Sequence, residues 1–248
     1  MSRDWDAATY DRVSDPQVAM AEVVLERLAL QPGERVLDAG CGSGRVTELL
    51  LESGAEVIAA DQSQSMVEAA RARLNGRGQV LQSDIAEIEL DAPVDAVFSN
   101  AVFHWVPDHD RLFATLHRAL RPGGRLVAQC GGRGNVESFH AGARVVGHRE
   151  PYAPYLGGWV GPWNFAGPEE TSERLRRAGF TEVACRLEPW PVVPDDPTGY
   201  LRSVCLGYHV ERLPEELRAP YVRDVVAELA NPLELDYVRL NIDARRPA

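Results

Sequence analysis

The chain has 248 residues, 45% of them hydrophobic and 25% charged, with a formal net charge of −11. That length and balance describe a soluble globular protein with one large domain or a domain plus a cap, and no stretch approaches the roughly 18 apolar residues of a membrane span. Basic residues cluster no further than pairs such as Arg245-Arg246, so the acidic balance argues against a nucleic-acid partner, which needs a basic footprint for phosphates.

The amino terminus, Met1-Ser2-Arg3-Asp4-Trp5-Asp6, lacks the apolar core of a signal peptide. Strand-like runs then alternate with helix-period segments to about residue 132, the pattern of a mostly parallel α/β sheet. A first strand is expected over 35–38, followed by a helix with Val46, Leu49 and Leu50 on one face. A second strand over 56–61 precedes a helix with Met66, Ala70 and Leu74 four residues apart. Val80-Leu81 makes a short third strand and residues 94–99 a fourth. A helix from about Asp108 carries Leu112, Leu116 and Leu120, and Pro122-Gly123-Gly124 stops it before a fifth strand over 125–130. Residues 131–166 then break the rhythm with glycines and the aromatics Tyr152, Tyr155, Trp159, Trp163 and Phe165. Such a length after a strand's carboxyl end reads as a functional loop or cap. A helix over about 169–178, closed by Gly179, leads to a sixth strand over 183–187. A proline-rich span over 189–197 opens a helical region interrupted by Pro214, Pro220 and Pro232, and an alternating pattern over 235–244 suits a final strand. The cysteines at 41, 130, 185 and 205 form no C-x-x-C pair and read as free thiols of a reduced, cytoplasmic protein.

The most informative segment is Val36-Leu37-Asp38-Ala39-Gly40-Cys41-Gly42-Ser43-Gly44, with Asp61 closing the next strand. Strand, glycine turn, helix, strand and terminal acid make a Rossmann-like nucleotide crevice, in which the acid grips two ribose hydroxyls. A dinucleotide turn reads G-x-G-x-x-G, whereas this turn is G-x-G-x-G followed by Arg45. Asp38 sits where a pyrophosphate would lie nearby, and two unit charges about 4 Å apart interact by roughly 4 kcal/mol at an effective dielectric near 20. An anion there repels pyrophosphate and attracts a cation. S-adenosylmethionine, with an ammonium, a sulfonium and no phosphate, suits the crevice.

These residues resemble the class I S-adenosylmethionine-dependent methyltransferase family over about residues 33–130. Residues 38–44 are similar to its first motif, Asp61 to its ribose acid, Ser83-Asp84-Ile85 to its adenine stretch, and Leu120-Arg121-Pro122-Gly123-Gly124 to its fifth-strand entry. Ser99-Asn100-Ala101-Val102-Phe103-His104-Trp105-Val106, Arg149-Glu150-Pro151-Tyr152 and the start Trp5-Asp6 through Tyr10-Asp11 resemble, more narrowly, the trans-aconitate methyltransferase group. The resemblance implies a seven-stranded sheet, Rossmann-like, whose last strand runs antiparallel between strands five and six. It implies one domain: lid helices over 1–30 that bring Trp5 and Tyr10 over the cofactor, a cofactor core over 33–132, a cap over 133–166, and the remaining sheet and substrate-side helices over 167–248.

The cofactor set expected from pattern and resemblance together is Trp5, Tyr10, Asp38, Gly40, Cys41, Gly42, Asp61, Gln62, Met66, Asp84, Ile85 and Asn100, with S-adenosyl-L-homocysteine as product. Met66 reads equally as core packing or as a wall against adenine. The segment at Asn100 is not the N/D-P-P-Y/F of base and glutamine methylation. His104 and Trp105 read either as a packed pair or as a substrate wall, with His104 the candidate base. Tyr152, Trp159 and Trp163 are candidate acceptor-pocket aromatics, and Arg133, Arg144 and Arg149 candidate carboxylate partners, each also readable as a surface charge. No metal site is expected. The function so read is methyl transfer to an oxygen of a small carboxylic acid or hydroxyl compound. An NAD-dependent oxidoreductase and a non-catalytic, regulatory S-adenosylmethionine-binding protein are the alternatives, and monomer and homodimer are both compatible with the chain.

Overall fold

The structure, a computed structural model, describes residues 15–229 and 232–248. α1 (Asp15–Leu28) leads into β1 (Arg35–Ala39), α2 (Arg45–Glu52), β2 (Glu56–Asp61), α3 (Gln64–Leu74), β3 (Gln79–Gln82), β4 (Val94–Asn100), α4 (His109–Ala119) and β5 (Leu120–Gly131). Then follow α5 (Glu137–Gly147), α6 (Ala153–Leu156), α7 (Pro168–Arg177), β6 (Thr181–Pro189), α8 (Pro197–Tyr200), a π-turn (Leu201–Cys205), α9 (Gly207–Glu211), α10 (Glu215–Glu228) and β7 (Val238–Arg245). The strands form one seven-stranded sheet in the order β3-β2-β1-β4-β5-β7-β6. β1 to β5 pair in parallel, while β7 runs antiparallel between β5 and β6. The antiparallel insertion implied by the resemblance is therefore present.

Local chemistry explains where the elements start and stop. The central strands β1, β2 and β4 are near-continuous buried apolar runs, as strands covered on both faces must be. Ser63 caps α3 by accepting from the Met66 amide, and Asp108 caps α4 by accepting from the Arg111 amide at 2.9 Å. Leu37, Ile58, Val97, Leu126 and Ile242 belong to one core, on the side of α4 and α7, while Val36, Val57, Phe98 and Val127 belong to another with Val24 and Leu28 of α1. A third cluster joins Phe139 and Val146 of α5, Leu156 of α6, Tyr200, Leu201, Leu206 and Tyr221. Residues from the 133–166 segment and from the span between β6 and β7 thus share one apolar interior.

Three boundaries differ from the sequence reading. β5 is recorded from Leu120, because Leu120 pairs with Val94 before the register jumps to Arg125 opposite Ala96; Pro122-Gly123-Gly124 bulges between them. β7 begins at Val238, and Leu235 instead makes a separate bridge to Val192. Pro220 does not interrupt its helix: α10 runs through it, held by the buried side chains of Tyr221, Val222 and Val225, whose packing outweighs the missing N–H.

Candidate active site

Strand order reverses around β1, and ligands of open α/β sheets bind at such a switch point, beyond the carboxyl ends of the strands. There the glycine turn leaves β1 with Gly40 at φ 92°, Gly42 at φ 53° and Gly44 at φ 85°. An added Cβ on Gly40 would run into the Val102 side chain, so the turn and the loop after β4 fit against each other only with glycine at that position. The amides of Gly40 and Cys41 both donate to the Ala60 carbonyl, at 2.8 and 3.0 Å. The Gly42 amide donates to Asp61 Oδ2 at 3.0 Å, and the Ser63 amide to Asp61 Oδ1 at 2.9 Å. Three successive turn amides are thus directed onto β2, whereas a phosphate cradle needs them directed at the ligand.

Asp38 is 2% exposed and accepts from Thr47 Oγ1 at 2.7 Å. Burial, and then the nearby Asp61 charge, push its carboxyl up to about 7 against the opposing Thr47 hydrogen bond. The anion read from the sequence is therefore poised between its two protonation states, and a cation beside it would complete the ionisation. Asp38 and Cys41 line a small recess that also touches Arg45, and Gly40, Gly42 and Asn100 are common to this recess and a larger cavity.

The larger cavity, about 190 Å³, gathers Gly40, Gly42, Asp61, Gln62, Met66, Asp84, Ile85 and Asn100 along one end. Met66 is at once a buried helix residue and a cavity wall, so both of its readings hold geometrically. Asp84 turns the chain by accepting from the Ala86 amide at 2.8 Å. The chemistry of this lining fits S-adenosylmethionine: the carboxylates Asp61 and Asp84 and the apolar Met66 and Ile85 share one end of the cavity, and the turn amides are not offered to a phosphate. Trp5 and Tyr10 lie outside the described residues.

His104, Trp105 and Trp163 line the same cavity. His104 is 7% exposed, and its Nδ1 accepts from the Gly131 amide at 3.2 Å, which leaves the ring proton on Nε2. Burial, then Arg239 and His109, hold its pKa well below the usual imidazole value. Trp105 stacks on Tyr208 with centroids 5.3 Å apart, and Trp163 lies 6.2 Å from Trp105 and nearly parallel to Phe165. The Asn164 amide donates to the His104 carbonyl at 2.9 Å, tying the aromatic segment to the loop after β4. Tyr152 and Trp159 do not line the cavity. Tyr152 is buried in the third cluster, where its hydroxyl donates to Asp224 at 2.6 Å; Trp159 packs behind Trp163, against His209 and under Arg212. Arg133, Arg144 and Arg149 are exposed, Arg133 paired with Glu170 and Arg149 with Glu228.

The cavity's guanidinium comes instead from Arg239, 2% exposed at the start of β7. Sequence reasoning missed it, along with Asn135, His140, Phe139, Tyr208 and Tyr237, which also line the cavity. No sequence signal marked it, because Arg239 falls in the polar phase of the last strand with Asn241 and Asp243. Ala101 at φ 62° and Val136 at φ 47° adopt left-handed backbone at the cavity wall, a strain that persists where surrounding contacts over-determine it. Among the described residues no group of three or more His, Cys, Asp and Glu side chains could hold a metal, and no helix is long and apolar enough to cross a membrane.

Residues 37–128 match a methyltransferase domain family. The chain is 31% identical to the trans-aconitate 2-methyltransferase of Variovorax paradoxus (strain S110), over 96% of this chain and 94% of that one. It is 39% identical to the trans-aconitate 2-methyltransferase of Rhizobium etli, over 91% and 89%. Among solved structures it resembles Haemonchus contortus phosphoethanolamine N-methyltransferase 2 in complex with S-adenosyl-L-methionine, with TM-score 0.64 and 19% identity over 98% of this chain and 57% of that one; at that identity the likeness speaks to the fold.

Proposed function

The chain belongs to the class I S-adenosylmethionine-dependent methyltransferases, and from that premise we propose that its acceptor is a small carboxylic acid methylated on oxygen. Its cofactor is S-adenosylmethionine and its product S-adenosylhomocysteine. The observation that carries the acceptor class is the protonation chemistry of the cavity's far end. Burial drives His104 well below the usual imidazole range and His140 down to about 4. It drives Cys205 up to about 12 and Tyr237 well above the usual phenol value. None of these groups titrates near neutrality, so none suits general-base work there. A carboxylate is already ionised at pH 7 and needs no base. A hydroxyl or amine acceptor would benefit from one. The trans-aconitate 2-methyltransferases among the relatives support the same class.

When bound, S-adenosylmethionine supplies a methyl group on a sulfonium, open to in-line attack by a nucleophile without any proton leaving. The protein's part is positioning, which is worth about 7–11 kcal/mol of barrier when two reactants are pre-aligned. In this reading Asp61 takes the ribose hydroxyls, with its carboxylate held at the wall by the Gly42 and Ser63 amides. Asp84 and Ile85 meet the adenine with Met66 and Gln62 beside it, while Asp38, Cys41 and Asn100 face the methionyl portion. Neutral His104 offers its Nε2 proton to an acceptor oxygen rather than removing one, and Trp105 and Trp163 exclude water. Residues 133–166 cap the acceptor end through Trp163 and Phe165, whereas α1 packs on the sheet through Val24 and Leu28 and does not serve as a lid. The acidic balance and free cysteines fit a cytoplasmic enzyme acting on small molecules, without nucleic acid.

The test is turnover of S-adenosylmethionine with panels of acids, phenols and amines, read by mass spectrometry. A methylated acid that alkali returns to the parent acid supports the reading. Acids left untouched while a phenol or amine is methylated would overturn it.

A further inference from the structure

Asn135 follows the end of β5, where its main-chain amide donates to the Gly132 carbonyl at 2.9 Å, and it is a buried residue of the cavity wall. Its side-chain Oδ1 accepts from the Val238 amide of β7 at 3.1 Å. An N–H partner admits only the oxygen at that place, so the orientation of the side-chain amide is fixed and Nδ2 is its remaining, donating end. That end lies over Gly131: a Cβ built on this glycine would stand 3.0 Å from Asn135 Nδ2 and 2.8 Å from the Phe165 ring. The Gly131 amide in turn donates to His104 Nδ1 at 3.2 Å, which leaves His104 a donor at Nε2. Two neutral side chains of the cavity wall thus each keep an N–H whose place a main-chain amide assigns, and both gather at Gly131.

The other polar groups of this end are arranged differently. Tyr237 shares its hydroxyl with Tyr200 at 2.9 Å. Arg239 gives Nε to Gln129 Oε1 at 3.3 Å and stands opposite Glu188 in the β6–β7 register. His140 Nε2 is buried with no hydrogen-bond partner, so no main-chain group assigns the ring's tautomer through it. Gly131 closes β5 two residues past Gln129, which pairs with Asn100 at the end of β4. The fixed donors therefore stand at the carboxyl ends of the strands, close to the residue read above as facing the methionyl portion.

We propose that Asn135 Nδ2, beside His104 Nε2, donates to the acceptor's carboxylate at the oxygen that does not attack, which makes Asn135 a specificity-determining residue of the methyl transfer. This rests on the carboxylate reading above and adds the group that orients the acid. The other oxygen attacks the methyl carbon in line: an O–C bond forms, the C–S bond breaks, the sulfonium becomes a neutral thioether, and no proton moves. Hydrogen bonds to the attacking oxygen would weaken as its charge passes into the new bond, and so would oppose the reaction. The held oxygen becomes the carbonyl oxygen of the ester and still accepts. Its hydrogen bonds persist from acid to product, and interactions of that kind set binding more than the chemical step. A donor of fixed direction also settles which oxygen faces the methyl group, the alignment that an in-line displacement needs.

Asn135→Asp tests this at saturating S-adenosylmethionine, with trans-aconitate as acceptor or, where the panel above methylates a different acid, that acid. The substitution keeps an oxygen for the Val238 amide and exchanges the donor for an anionic acceptor. KM for the acid should rise at least about 10-fold, the loss expected with a hydrogen bond to a charged group. In the same variant kcat should stay within about 5-fold, and S-adenosylhomocysteine affinity within about 2-fold, of the parent. A residue that only held Val238 would leave KM where it is. In the unaltered enzyme with 15N-labelled asparagine side chains, the amide pair with Overhauser contacts to the Gly131 α protons should move downfield when the acid joins the S-adenosylhomocysteine complex. That readout decides even if the variant folds poorly. An unmoved KM in the folded variant, whatever happens to kcat, or an Asn135 pair that does not shift on binding of the acid would overturn the proposal. If an acid is methylated on oxygen while either of those results is found, the carboxylate reading stands and the role of Asn135 falls. If acids are inert and a phenol or amine turns over, both fall.

Discussion

Thr47 donates from Oγ1 to Oδ2 of Asp38 at 2.7 Å, and this hydrogen bond is the main local stabiliser of a carboxylate that burial otherwise opposes. The free protein therefore carries at the base of its crevice an acid that burial pushes up to about 7, well above its ordinary value. The unfolded chain ionises near its ordinary value of about 4, so the folded state retains the proton over the interval between. Stability linked to Asp38 is full below about pH 4 and lost as pH rises through about 7.

Asp38→Asn keeps an acceptor for Thr47 and removes the charge. Its Tm should exceed the parent's by roughly 3–8 °C at pH 8, and the gap should narrow at pH 5 and close below about pH 4. Binding of the cationic cofactor should show the opposite sign. Parent affinity rises with pH through about 7 as the carboxylate ionises, whereas the variant binds more weakly and without that slope, which calorimetry at several pH values will read.

Asp61→Ala removes the carboxylate that holds the Gly42 and Ser63 amides. Two unmet amides should cost about 1–3 kcal/mol of stability. S-adenosylmethionine affinity should fall at least about 10-fold as the ribose partner is lost, and Asp61→Asn should lie between. Unchanged affinity in calorimetry would remove the ribose role.

Gly40→Ala combines a left-handed backbone, φ 92°, with a clash against Val102. Chemical denaturation should show a loss of about 2–4 kcal/mol. Adding Val102→Ala should restore part of it, because only the steric component is relieved.

His104 stays neutral through the physiological range, so kcat at saturating cofactor and acid should show no histidine inflection between about pH 6 and 9. His104→Phe should keep turnover within about 10-fold if the acceptor is a carboxylate. An inflection near the ordinary imidazole value that disappears in this variant would restore the role of base.

Tyr152→Phe tests whether the Tyr152 side chain supports the third cluster and not the cavity. Loss of the hydrogen bond to Asp224 should lower stability by about 1 kcal/mol and leave the acceptor KM as it is. Differential scanning calorimetry and steady-state kinetics together separate the two effects.

Much of the crevice was legible because its signals are local. Asp38, the glycines and Asp61 are bound to a strand end and a tight turn, so spacing alone carries them to the mouth of the sheet. Asp84 and Asn100 are fixed in the same way, one just beyond β3 and the other at the end of β4. The acceptor end is different. Tyr152 and Trp159, aromatic and close in sequence to Trp163, lie behind the wall, while Tyr208, Tyr237 and Arg239 reach it from beyond β6. Composition marks such residues as buried or exposed, not as facing one cavity.

The sequence alone determined the α/β alternation, the positions of the strands and the turn chemistry at β1, since each depends on periodicity and on backbone angles that few residues adopt. Tertiary structure alone decided that the turn amides point at β2, that Asp38 loses its full charge on burial, and that an arginine from the last strand is the cation lining the cavity. Those outcomes arise from desolvation and from the antiparallel placement of β7 beside β5, and both require the whole sheet to be assembled before they exist.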